Sequence, residues 1–356
     1  MPRPRRALLA LALVAVAAGP LTAPRAATGP SLKQLAGQRI VFGFDGTRAP
    51  DALLRRIHRG EAGAVILFTR NIDSRSQLRK LTRSLQHALP DGEPPVLVMI
   101  DQEGGLVKRL SGPPDYSAAE LGRRNDSTLA RHQGRDTAKN LLDVGVNVNL
   151  APVVDVGRPG SIMRKQERSF SGDAHKVARL AGAFARGLGN NGVGATAKHF
   201  PGLGAARSNE DYTVNRIDVS KSELRSKDEL PFAKLAADGL PLVMVSTAIY
   251  PALDDRPALF APKIANRELR DQVGFTGTSV TDDLDTPAAA KYGSAERRAR
   301  LAAHAGNDLL MFAQSYSDGT RAAAELVDSV RAGKLSRAGM DRSAERIRAL
   351  RESLAG

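Results

Sequence analysis

Ionisable residues close a series of apolar runs in this chain. Asp101 and Glu103 follow PVLVMI, Asp155 ends APVVD, Lys198 and His199 follow GVGATA, Thr247 ends LVMVST, and Asp282 and Asp283 follow GTSVT. A charged group at the end of an apolar strand loses hydration unless it is paired or used. Five such ends, carrying carboxylates, an ammonium, an imidazole and a hydroxyl, point to acid–base or nucleophilic chemistry at one mouth. The stretch KHFPGLGAARSNEDY (198–212) adds a tight loop shaped by Pro201, Gly202 and Gly204, then Asn209, Glu210 and Asp211. Those last residues are also ordinary in a solvated turn, which is the competing explanation. Thiol catalysis, disulfides and cysteine metal sites are excluded, because the chain has no Cys.

The elements that must position these groups read as alternating strands and helices. Apolar, β-rich runs cover 38–44, 63–68, 95–101, 146–156, 192–200, 241–249, 277–283 and 307–313. Helical spans lie between them, such as SRSQLRKLTRSLQHAL (74–89), where Leu78, Leu81 and Leu85 share a face. DAHKVARLAGAFARGLGNNG (173–192) starts on a capping Asp173 and ends in glycines. Eight strands alternating with helices predict an α/β protein, a (β/α)8 TIM-like barrel forming a single catalytic domain over residues 31–356. An open doubly wound sheet is the alternative, but no early strand is followed by a G-x-G-x-x-G turn.

Upstream, Arg3, Arg5 and Arg6 precede an apolar run from Ala7 to Ala18, then Gly19, Pro20 and small residues. That is the pattern of a secretory signal over 1–27, and the run is short for a membrane span. Export to the periplasm, cell wall or medium is expected, without stable membrane insertion after cleavage. The net charge is +14, and the four Arg of residues 1–27 leave about +10 on the rest. No basic run interleaved with aromatics and no zinc-finger or helix-turn-helix spacing accompanies that charge, so nucleic acid is not an expected partner.

The segments GAVILFTRNIDS, IDQEGGLVKRL, NLAPVVDV, ERSFSGD, KHFPGLG, YPALDDRPA and GFTGTSVTDDLDT occur in the order found in glycoside hydrolase family 3. The chain resembles that family from Leu32 to the C-terminal helix, and most of all its single-domain bacterial β-N-acetylhexosaminidases. The resemblance implies a retaining mechanism, in which one carboxylate attacks the anomeric carbon and a second group protonates the leaving oxygen. It assigns the nucleophile to Asp282, the first acid of TDD, where a helix cap is the alternative role. It assigns sugar hydroxyl contacts to Asp101, Arg168, Lys198 and His199, although Asp101 could also serve as an ion-pair partner of Lys198.

The chain departs from the family where the proton donor should be. The usual Asp-Ser-His triplet, whose His is the acid/base, reads Asn209-Glu210-Asp211, and Leu203 stands at an earlier His. Leu106 and Thr247 stand where Arg and His are common. Three readings follow. Asp211, or Glu210 behind it, replaces the imidazole as catalytic acid/base, its pKa raised by burial or by Asp282. Alternatively the pocket has lost turnover and binds cell-wall glycan or muropeptide. In the third, the leaving group or acceptor needs little protonation, as in a phosphorylase. The retained charged set favours the first. With 4% aromatics and no Trp, a pocket for one terminal β-linked sugar, N-acetylglucosamine-like or glucose-like, fits better than a platform for long polysaccharide. No cofactor or metal is implied, since the Asp282–Asp283 pair offers too few ligands for a hard cation.

Overall fold

Eight short runs of buried, mostly β-branched or aliphatic residues form the strands of one parallel sheet. They are β1 (Ile40–Phe42), β2 (Ala64–Leu67), β3 (Leu97–Ile100), β4 (Val148–Asn149), β5 (Gly194–Phe200), β6 (Leu242–Val245), β7 (Thr278–Thr281) and β8 (Leu310–Phe312). The computed structural model describes Met1 and residues 29–355. The expected signal segment 1–27 therefore lies outside the described residues, apart from Met1. The chain divides into the units Met1–Pro30 and Ser31–Gly356, and the sheet belongs to the second.

Strand neighbours follow chain order from β7 back to β1, which then pairs with β8. The remaining gap is bridged between β7 and the residue before β8: the Leu309 N–H donates to Ser279 O at 2.9 Å, and the Thr281 N–H to Leu309 O at 3.0 Å. A sheet joined this way is a barrel, and the doubly wound alternative falls. Each of the eight apolar runs read from the sequence contains one of its strands.

Alternation along the strands sorts their side chains. Val41, Ile66, Met99, Met244, Val280 and Met311 belong to the cluster filling the barrel. Ile40, Phe42, Val65 and Val98 pack instead with the surrounding helices. Those helices carry the expected signals. Ser74 accepts from the Gln77 N–H and caps Arg75–His87, with Leu78, Leu81 and Leu85 buried. Asp173 accepts from the Lys176 N–H and caps Ala174–Gly189. Among the described residues, no helix is long and apolar enough to cross a membrane.

Candidate active site

The C-terminal ends of the strands surround a cavity of about 570 Å³, on the face where barrel enzymes carry their chemistry. Asp101, Arg168, Lys198, His199, Glu210, Asp211 and Asp282, all singled out from the sequence, line it together.

One wall is an ionic cluster. Lys198, buried at the end of β5, places Nζ 2.7 Å from Asp101 Oδ1 and 2.7 Å from Glu103 Oε1. Arg168 lays its guanidinium fork on Glu103, with Nε 2.9 Å from Oε2 and a terminal nitrogen 3.0 Å from Oε1. Burial alone would raise Glu103, but Arg168 and Lys198 outweigh it and hold the carboxyl at about 2. Burial likewise opposes the charge on Lys198, yet the two carboxylates raise its pKa. Two cations and two carboxylates thus stay ionised against one another, leaving lone pairs and N–H groups on the cavity wall for a polar ligand.

The cavity floor holds a line of proton-bearing groups. Asp155 accepts at Oδ1 from the backbone N–H of His199 at 3.1 Å and of Leu203 at 2.6 Å. Its Oδ2 faces His199 Nδ1 at 2.8 Å. Burial raises Asp155 to about 7 despite those donors. His199 is pushed well below 6.5, first by burial and then by Arg168, so it is neutral near pH 7. Its Nε2 lies 3.2 Å from Glu210 Oε1 and 3.5 Å from a terminal nitrogen of Arg168. The neutral ring carries one proton, on Nδ1 toward Asp155 or on Nε2 toward Glu210, and the protonation of those two carboxyls selects which.

Glu210 bridges this line to Asp282. It is buried and hydrogen-bonded to Asp282, and burial followed by the Asp282 charge drives its pKa well above 4.5. Asp282 directly follows β7. Its Oδ1 accepts the Asp283 N–H at 2.8 Å, and its Oδ2 sits 3.5 Å from Thr247 Oγ1. Burial raises Asp282 too, to about 7, and the negative charge of Asp211 adds to that rise. Two carboxyls this close do not both ionise readily, so near neutrality they share a proton.

The loop after β5 separates its two carboxylates. Glu210 turns in, whereas Asp211 stays exposed at the cavity edge. The Asp211 N–H donates to Asn209 Oδ1 at 3.0 Å, and its carbonyl accepts the Ala288 N–H at 3.2 Å. Leu203 is fully buried, so its side chain serves the core while its N–H serves Asp155. Asp283 accepts from the Ala313 N–H at 3.1 Å, Gln314 Nε2 at 2.9 Å and the Asp285 N–H at 2.9 Å, tying β7 to the segment after β8.

Sequence reasoning named Glu103 and Asp155 only as strand-end groups, without a role. Glu103 anchors both cations, and its position two residues beyond Asp101 was the available signal. Gln314, which holds Asp283, follows the eighth apolar run and was not singled out.

The family described as glycosyl hydrolase family 3 N terminal domain matches residues 31–350. An uncharacterized secreted glycosyl hydrolase of Arthroderma benhamiae is 35% identical over 328 residues, 90% of this chain and 93% of that one. A β-hexosaminidase of Alkalilimnicola ehrlichii is 36% identical over 282 residues, 76% of this chain and 79% of that one. Among solved structures, a β-N-acetylhexosaminidase of Beutenbergia cavernae superposes with a TM-score of 0.83 at 32% identity, covering 91% of this chain and 99% of that one. A family 3 β-N-acetylglucosaminidase from a Paenibacillus strain gives a TM-score of 0.87 at 32% identity over 92% of this chain. The present chain spans 63% of that protein's length.

Proposed function

The chain belongs to glycoside hydrolase family 3 as a β-hexosaminidase-like glycoside hydrolase, and from that premise we propose a retaining mechanism with Asp282 as nucleophile. The substrate we propose is a terminal β-linked sugar on a short glycan. The hexosaminidase names of the relatives favour N-acetylglucosamine over glucose. Export through the 1–27 segment is part of the same proposal, and the secreted Arthroderma relative supports it.

The observation that carries this reading is the Asp282 carboxylate at the end of β7, opening into a cavity whose opposite wall is the Asp101–Lys198–Glu103–Arg168 cluster. Lys198, Arg168, Asp101 and His199 bind the sugar's hydroxyls. Glu210 holds the shared proton and donates a hydrogen bond to Asp282, which keeps the nucleophile ionised while leaving it aimed. Asp282 attacks the anomeric carbon as Asp211, on the solvent side, passes a proton drawn from solvent to the departing oxygen. The Asp211 carboxylate then takes a proton from water, the water oxygen attacks the anomeric carbon, and Asp282 is released. Nothing in the relatives supports a pocket that only binds.

A second reading makes Glu210 the donor, and its burial and raised pKa favour it. Its hydrogen bond to Asp282 counts against it, because retaining carboxyls stand about 5 Å apart to admit the reacting bond. Leaving-group dependence separates the two. Asp211→Ala should slow a disaccharide by roughly 10²- to 10⁴-fold, the usual worth of a proton donor, and slow an activated aryl β-N-acetylglucosaminide far less, with azide restoring much of the loss. That signature in Glu210→Gln instead would transfer the role to Glu210.

A further inference from the structure

Two large side chains at the cavity mouth stand in water, away from any core. Leu106 is 75% exposed and Tyr212 67% exposed, and both line the cavity. In the Ser31–Gly356 unit, the other exposed large apolar side chain among the described residues is Leu142, at only 42%. The pair comes from separate loops. Leu106 caps the hairpin formed by Gln102–Gly104 and Val107–Lys108, where Gly104 and Gly105 supply positive φ of 95° and 59°. Tyr212 follows Asp211 in the loop after β5. Phe68, also on the wall, already has the guanidiniums of Arg70 and Arg109 at 4.6 and 5.6 Å from its ring centre. The face of Tyr212 carries no such cover among the described residues.

Apolar side chains left in water at a cleft edge mark a contact surface. The chemistry below them says what makes the contact. The floor is charged and suits the hydroxyl edge of the sugar being transferred, whereas a pyranose also presents an apolar C–H face that packs on aromatic rings. Tyr212 is the chain neighbour of Asp211, so it stands on the side from which the leaving group departs. We infer that Leu106 and Tyr212 form a leaving-group subsite that grips the C–H face of a second pyranose ring and selects sugar aglycones over small ones. The inference rests on the hydrolase reading above.

The test compares kcat/KM for a β-linked disaccharide of N-acetylglucosamine with that for methyl β-N-acetylglucosaminide, whose single-carbon aglycone is too short to reach the rim. In Tyr212→Ala the disaccharide-to-methyl ratio should fall roughly tenfold, mostly through KM of the disaccharide. Tyr212→Phe, which keeps the ring face, should hold the ratio near that of the unmodified chain. Leu106→Ser should lower it by a smaller factor, and gives an independent reading should the Tyr212→Ala protein melt early. A ratio unchanged in both truncations, with both compounds still turned over, overturns the subsite alone. A ratio lost equally in Tyr212→Phe assigns the effect to the hydroxyl and overturns the stacking argument. An unmodified protein inert toward both compounds overturns the hydrolase reading and the subsite with it.

Discussion

Glu103 carries more of the site's electrostatics than its place in the sequence suggests. It faces Lys198 and Arg168 at once, and burial leaves little water to screen the three charges. Removing one partner from such a cluster leaves a buried charge uncompensated. Glu103→Gln should therefore lower the unfolding free energy at neutral pH by about 3–5 kcal/mol. The sign with pH follows from the depressed pKa. A carboxyl held at about 2 rather than 4.5 stabilises the fold fully above 4.5, and that contribution fades as pH falls toward 2. Urea unfolding of the two proteins across that range should show their difference shrinking with acid; a constant difference would mean the cluster is not ionic. The residue types at this site were legible, since charge at the end of an apolar run is conspicuous. Which of two adjacent loop carboxylates turns inward was not. Glu210 and Asp211 lie in a segment with no helical or strand period, so nothing local orients them.

At the scale of elements, the loops rather than the strands decide the site's shape. The eight runs were readable because a buried parallel strand leaves a nearly unbroken apolar stretch. Their ends were readable for the same reason, through the first charged residue. The contacts between loops were not, because they join segments far apart in the chain. Gly204 is one such contact. A Cβ there would meet Val156 O at 2.0 Å, and its carbonyl accepts the Arg158 N–H at 2.9 Å, so the loop after β5 is pressed onto the one after β4. Gly204→Ala must push those backbones apart, at a cost of about 1–3 kcal/mol. The displaced loop carries Glu210 and Asp211, so kcat/KM should fall along with the melting temperature. A variant that melts and turns over as the unmodified chain does would show that the two loops are not coupled.

On the scale of the whole molecule, the two ends of the barrel do different work. The N-terminal end is sealed by the helix Arg337–Ser353, whose Ile347 and Leu350 join the interior cluster. Asp308 there accepts from Arg270 at 2.7 Å, Ser343 at 2.9 Å and Arg346 at 3.0 Å, binding that helix to β7 and β8. With one end closed by packing and ion pairs, the opposite end is free to keep strained protonation states and an open cavity. The expected export signal makes a separate prediction: intact-mass analysis of protein recovered outside the cytoplasm should find the 1–27 segment gone, and recovery there of the full-length chain would contradict cleavage. The central claim is that Asp282 bonds covalently to the sugar. Incubation with an activated fluorosugar that retains the acetamido group, followed by peptide mass spectrometry, should find one sugar attached to the peptide containing Asp282. An adduct on another residue, or steady turnover with no protein-bound sugar at any time, would contradict it.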